Sequence, residues 1–213
     1  MASSARHIVD IPRRCVSETA CMKYLTIIRH AKSCWDQPGL ADHDRPLGAR
    51  GLLAAPAVGT FLQRTYFGGG DEEPLLPTPQ KIISSTAGRA LATAQIIRER
   101  LHIDMEHLHL DSRLYLATES TLLKVVQGLD EDWQHVALFG HNPGMHIFAD
   151  RILARARIPR MPTCTAVILG IPSEYWALCD WNEAQLVAYI TPRMLEKRFP
   201  EVWPGISRPD GED

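Results

Sequence analysis

Tyr24-Leu25-Thr26-Ile27-Ile28-Arg29-His30 decides how this chain is read. Its first five residues are apolar or β-branched, as a short buried strand requires. The strand runs straight into a cation and a histidine. The pattern recurs twice. Lys81 to Ser85 reads as a second strand, with Arg89 close behind it near the start of a helix. Val136 to Phe139 reads as a third, leading into Gly140-His141-Asn142-Pro143-Gly144.

Helical patterns separate these strands. Gly48 to Phe67 is helical, although Gly51, Pro56 and Gly59 weaken it. Ala90, Leu91, Ala94, Ile97 and Leu101 recur at helical spacing, with Ser85 or Thr86 expected to cap that helix. Thr118 to Gly128 is a helix with Leu122, Leu123 and Val126 inward, and another follows Gly144 to about Arg155. His107 to Leu110 is a short strand. Thr165 to Leu169, Tyr175 to Cys179 and Leu186 to Ile190 are three more, the last two paired as a hairpin.

The alternation predicts an α/β fold, a three-layer α/β/α sandwich around a mostly parallel sheet. In such sheets ligands bind beyond the carboxyl ends of the strands. Arg29, His30, Arg89 and His141 would then share one edge. Two guanidinium groups there match the peripheral oxygens of a phosphoryl group and stay charged at any working pH. A neutral histidine between them can attack phosphorus, because nearby arginines disfavour its protonated form. The other histidine can donate to the transferring group. Fixed cations can supply the charge stabilisation, so neither a metal nor any other cofactor is required.

The bulk numbers narrow the alternatives. The 213 residues suit one domain, and 45% hydrophobic with 23% charged residues is ordinary for a globular chain. A net charge of -2 and the lack of a basic stripe argue against nucleic acid. Arg151, Arg155, Arg157 and Arg160 cluster, which reads as a solvated helix end. No apolar run approaches the roughly 20 residues of a membrane helix. Cys15, Cys21, Cys34, Cys164 and Cys179 fit neither a disulfide framework nor a zinc site, so a reducing, cytoplasmic setting is expected. His102, His107 and His109 lack a complementary ligand pattern and read as a solvated face. Residues 1–22 read as a disordered extension, 23–197 as the folded domain and 198–213 as a loosely held tail. The sequence carries no signature of oligomeric state.

Five ordered motifs between Lys23 and Lys197 resemble the histidine phosphatase superfamily, whose fold is phosphoglycerate mutase-like, and within it the SixA-type phosphohistidine phosphatases. They are Leu25 to Ser33, Asp42 to Gly51, Ser84 to Ala94, Gly140 to Gly144 and Tyr189 to Leu195, the last resembling a closing strand. The resemblance implies a phosphoenzyme route with His30 as nucleophile and Arg29, Arg89 and His141 as the phosphate pocket. Lys32, Ser33, Arg45 and Asn142 flank these motifs as candidate substrate-binding residues, Arg45 with a loop-to-loop ion pair as the competing role. The partner implied is a phosphate-bearing substrate.

One departure matters. In this branch an acid often follows the tyrosine of a Leu-Tyr pair, but Leu114-Tyr115 is followed by Leu116. Glu119 is the candidate replacement general acid, with Asp36, Asp42 and Asp44 as others. A missing acid would favour phosphoramidates such as protein phosphohistidine, because an imidazole leaving group needs less proton assistance than an alkoxide. The competing readings are a phosphomonoesterase or mutase for a small metabolite, and a weakly catalytic phosphate- or phosphoprotein-binding module. A mutase needs cations for a second anionic arm, and few stand out besides Lys32 and Arg45.

Overall fold

The computed structural model describes residues 22–36, 39–68 and 73–203. Residues 1–21, which include Cys15 and Cys21, and residues 204–213 lie outside that range. The strand after which the site is built, β1 (Lys23–Arg29), lies inside a six-stranded sheet of order β3-β2-β4-β1-β5-β6. β2 is Lys81–Ser84, β3 Leu108–Leu110, β4 His135–Gly140, β5 Ala166–Ile171 and β6 Gln185–Ile190. β1, β2, β3 and β4 run parallel; β5 is antiparallel to both β1 and β6. The sheet is therefore mixed, with a parallel majority.

Alternation along the buried strands divides the core into two layers. Ile28, Ile82, Ala137, Phe139 and Ile168 face one side, where α1 (Ala49–Thr65), α2 (Gly88–Arg100) and α5 (Pro192–Arg198) contribute the packing. Leu25, Ile27, Ile83, Val136 and Leu138 face the other, under α3 (Glu119–Gln127) and α4 (Gly144–Ile152). Each fully buried aliphatic side chain of this kind is worth about 1.5–3 kcal/mol over its exposed state. Among the described residues, no helix is long and apolar enough to cross a membrane.

Four local expectations are corrected. Tyr175 to Cys179 is not a strand: Trp176–Leu178 forms one 3-10 turn, and β6 pairs with β5 instead. The aromatic and apolar character there serves burial. Trp176 is fully buried, its indole donates to the Trp133 carbonyl at 2.7 Å, and the Glu131 carboxylate accepts the Trp176 and Ala177 amides. α4 stops at Ile152, because Leu153 is extended and the Ala154 amide donates to the Ala184 carbonyl. The segment resembling a closing strand ends at Ile190. Thr191 then caps α5 by accepting the Met194 amide, with Pro192 opening the helix where no amide is needed. Finally, neither Ser85 nor Thr86 caps α2, whose N-cap is Ala87; both hydroxyls are engaged at the site described next. Beyond α5, Phe199 packs tilted against Phe61 of α1 with ring centroids 4.8 Å apart.

Candidate active site

β1 and β4 are parallel neighbours in register, Arg29 opposite Gly140, so their carboxyl ends deliver His30 and His141 side by side. The two rings sit 5.0 Å apart. Arg89, in the first turn of α2, reaches them from the end of β2, and its Nε lies 3.4 Å from Nε2 of His30. His30, Arg89 and His141 are all buried; Arg29 is half-buried. The four residues therefore meet at one sheet edge.

The hydrogen bonds assign the His30 tautomer. Its Nδ1 lies 2.8 Å from the Ala31 carbonyl, which can only accept, so Nδ1 carries the proton. Nε2 then holds a lone pair facing Arg89. Burial pushes the His30 imidazole down to about 4; Arg89 and Arg29 push the same way, against the Ala31 carbonyl and Asp42. His141 is pushed down to about 3, by burial first and then by His30 and Arg89. Both rings are neutral near pH 7.

Ser85 orients His141. Its Oγ accepts the Ala87 amide at 3.3 Å and lies 2.8 Å from Nε2 of His141. With the Ser85 hydroxyl donating to Nε2, the His141 proton sits on Nδ1. That buried Nδ1 has no hydrogen-bond partner among the described residues, and neither do Nε of Arg29 and one terminal nitrogen of Arg45. Buried donors left unpaired cost roughly 1–3 kcal/mol each. All three suit an oxyanion.

The loop before β5 completes the frame. The Met161 carbonyl accepts from Arg29 at 2.9 Å and from Asn142 at 3.0 Å. The Cys164 amide is held by the Arg29 and His30 carbonyls, both at 3.0 Å. The turn after His141 is sterically closed at Gly144, where an added Cβ would lie 1.8 Å from the Ala117 carbonyl oxygen. Gly144→Ala is expected to destabilise the fold by about 1–3 kcal/mol, because backbone must move on both sides. A lowered urea midpoint with unchanged slope would register it; an unchanged midpoint would contradict the close approach.

Asp42 is the residue whose position the sequence left open. It opens a 3-10 turn, Asp42–Asp44, that folds over Arg89. Its carboxylate accepts from Arg89 at 2.9 Å and from the Tyr115 hydroxyl at 3.1 Å, and its backbone carbonyl also accepts from Arg89. Burial alone would raise its pKa, but those two side-chain donors outweigh it and hold the carboxyl below the usual range. Arg45 stacks on Trp35 at 3.7 Å and lies 3.9 Å from Asp42. His43 bridges Thr86 and Asp44.

The other candidates are placed differently. Glu119 opens α3 and is bound by Arg151 at 3.0 Å, about two turns along α4 from the helix start beside His141. The structure brings Asp42, and not Glu119, to the histidines. Ser33 bridges backbone to Leu47, and Lys32 faces a neighbouring cavity. Ser85, Tyr115 and the Met161 carbonyl escaped the sequence reading as site groups. The only advance signal was that Ser85 lies within the motif of Arg89 and that Tyr115 belongs to the Leu-Tyr pair whose following acid is missing. Among the described residues, no group of three or more His, Cys, Asp or Glu side chains is arranged to hold a metal ion.

Comparison with solved structures decides the fold family. The candidate phosphohistidine phosphatase SixA of Agrobacterium tumefaciens superposes with a TM-score of 0.63, over 80% of this chain and 98% of that one, at 25% identity. The chain has the histidine phosphatase fold. The protein histidine phosphatase SixA in complex with tungstate shares it, with a TM-score of 0.64 over 81% of this chain and 99% of that one, at 16% identity. By sequence, the uncharacterized protein Rv1276c of Mycobacterium tuberculosis is 27% identical over 181 residues, 78% of this chain and all of its own length. No family model matches. Within the histidine phosphatase fold, this chain resembles the SixA type.

Proposed function

We propose that this chain is a phosphatase working through a phosphohistidine on His30. The observation that carries the reading is the His30 tautomer: its proton is committed to the Ala31 carbonyl, so a lone pair on Nε2 faces Arg89. Arg29 and Arg89 grip the phosphoryl oxygens and the Nδ1 proton of His141 meets a third. Nε2 of His30 attacks phosphorus, and the bond from phosphorus to the leaving oxygen breaks. A water molecule then attacks the phosphorylated His30, breaking the P–N bond. Inorganic phosphate leaves and the neutral imidazole returns. Fixed cations and dipoles supply the stabilisation as charge moves.

Asp42 supplies the proton. An entering phosphoryl group competes with the Asp42 carboxylate for Arg89. Released from that donor, the carboxyl loses the larger of the two side-chain donors that hold its pKa down and can carry a proton to the leaving oxygen. It takes one back from the attacking water. The acid missing after Tyr115 is thus replaced through the Tyr115 hydroxyl, which reaches Asp42.

This bears on the substrate. Protein phosphohistidine is supported by the likeness to SixA enzymes and by the gap at Leu116. Asp42 removes the force of that gap, and the geometry favours a phosphomonoester with an alkoxide leaving group. Asp42→Asn is expected to lower kcat on an alkyl phosphate about 10²–10³-fold, with far less effect on a phosphohistidine peptide. Equal losses on both would remove Asp42 as proton donor. Phosphate release from aryl phosphate, alkyl phosphate and phosphohistidine peptide, with chelator present, tests the activity itself. No release from any of the three would overturn the phosphatase reading. The free thiols of Cys34, Cys164 and Cys179 support a cytoplasmic setting.

A further inference from the structure

Next to the phosphoryl site, on the β5–β6 side of the same sheet edge, lies a cavity of about 730 Å³. Lys32, two residues past His30, forms one wall. Thr163 forms another, adjacent to the Cys164 amide that grips the Arg29 and His30 carbonyls. The far walls come from the loop before β5 and from α5. The cavity thus abuts the backbone that presents the nucleophile.

Its charge is one-sided. Seven of its 17 lining residues are lysine or arginine, against 23 of 213 in a chain of net charge -2, and no Asp or Glu lines it. Lys32, Arg160, Arg193, Lys197 and Arg198 have no carboxylate at ion-pair distance among the described residues. Arg50 reaches Glu196 only at 3.9 Å, and Arg157 reaches Asp150 at 3.5 Å. The geometry is built: Tyr189 donates to the Arg160 carbonyl at 2.7 Å, and Asp150 holds the Ile158 amide at 3.0 Å. Ala54, Ile158, Leu186 and Met194 give the chamber an apolar floor. Crowding like charges in a concave, partly apolar site costs stability unless an anion enters. The volume is that of a small-molecule pocket, not of a flat protein interface.

The sequence concealed this. Arg157 and Arg160 read as part of a solvated helix end, and Arg193, in the first half of α5, fell in the segment resembling a closing strand. Cations for a second anionic arm looked scarce; the fold collects them.

We propose that this cavity is a second anion site, which holds the far arm of a small organic phosphate bearing at least one further phosphate or carboxylate group. The assignment of that arm to the substrate rests on the phosphatase reading of the His30 site; the anion site itself does not. Calorimetric binding to the full chain tests it without turnover. Alkane-α,ω-bisphosphonates of three to eight carbons are compared with alkylphosphonates of equal length. At the best length the bisphosphonate should bind at least about tenfold tighter, and Arg160→Gln with Arg193→Gln should remove most of that preference. Equal affinity of the two series for the wild type, or equal weakening of both in the double variant, would overturn the proposal. So would a preference for acidic over neutral phosphohistidine peptides with none between the phosphonates, which would assign the cations to a protein partner. A bisphosphonate preference in a chain that hydrolyses neither phosphate esters nor phosphohistidine would sink the phosphatase reading and leave the anion site standing.

Discussion

His30→Ala is expected to reduce phosphate release from an aryl phosphate by about 10⁴-fold or more, since the proposed route runs through a covalent intermediate on this residue and is lost with it. The expectation is specific to the ring. His30 uses Nδ1 only to donate to the Ala31 carbonyl, and its Nε2 has Arg89 as its neighbour at 3.4 Å. His30→Gln keeps a polar side chain there but no nucleophilic nitrogen, and should be as inactive. The pH profile carries a second check. With the His30 imidazole pushed down to about 4, Nε2 keeps its lone pair throughout the neutral range. In wild type, kcat/KM should hold from neutral pH down to about 5 as far as this group is concerned, and fall as Nε2 is protonated near 4. Trapping the phosphoenzyme by acid quench, and losing it in His30→Ala, would place the phosphoryl group on this residue. Activity that survives the substitution would assign the nucleophile elsewhere.

Why His30 was readable from sequence, and Asp42 was not, is a matter of local pattern. β1, β2 and β4 are buried on both faces, so each is a continuous apolar run, and each run ends abruptly at a charged or polar group. That discontinuity marks a sheet edge, and Arg29, His30, Arg89 and His141 are found there together. Asp42 sits in a polar loop with no periodicity, and its partner Arg89 is 47 residues away. Two neighbouring acids, Asp36 and Asp44, have the same sequence credentials. Only the folding of the loop over α2 separates them. The cavity cations are harder still, since they come from residues 32, 50, 157–160 and 193–198. Trp176 misled in the opposite sense: its apolar surroundings serve a 3-10 turn stapled by Glu131, because burial and strand pairing leave the same compositional trace in a short segment.

The burial that keeps the site's histidines neutral should also make the protein acid-labile, and His135 isolates that effect from the chemistry. It begins β4, at the opposite end from His141, and is fully buried. Its Nδ1 lies 2.6 Å from the Pro77 carbonyl, which only accepts, so Nδ1 is protonated and Nε2 faces the Thr26 hydroxyl at 2.8 Å. The neutral ring is fully satisfied. A second proton on Nε2 would place a charge in the core, and burial accordingly pushes its pKa down to about 4, against the Pro77 carbonyl. The unfolded chain binds that proton near pH 6.5, the folded chain only near 4. Between those values the unfolded state holds more protons, so stability falls as the pH is lowered through the window. A depression of this size corresponds to up to about 3 kcal/mol from His135 alone, with His30 and His141 adding in the same direction. Urea unfolding at pH 7, 5.5 and 4.5 should show the midpoint dropping steadily. His135→Gln should start lower at pH 7, having lost ring packing, but drop less steeply, because one of the three titrations is gone. A wild-type midpoint that stays level down to pH 4.5 would mean that these rings are not held neutral, and would remove with them the basis for a nucleophilic His30 in mild acid.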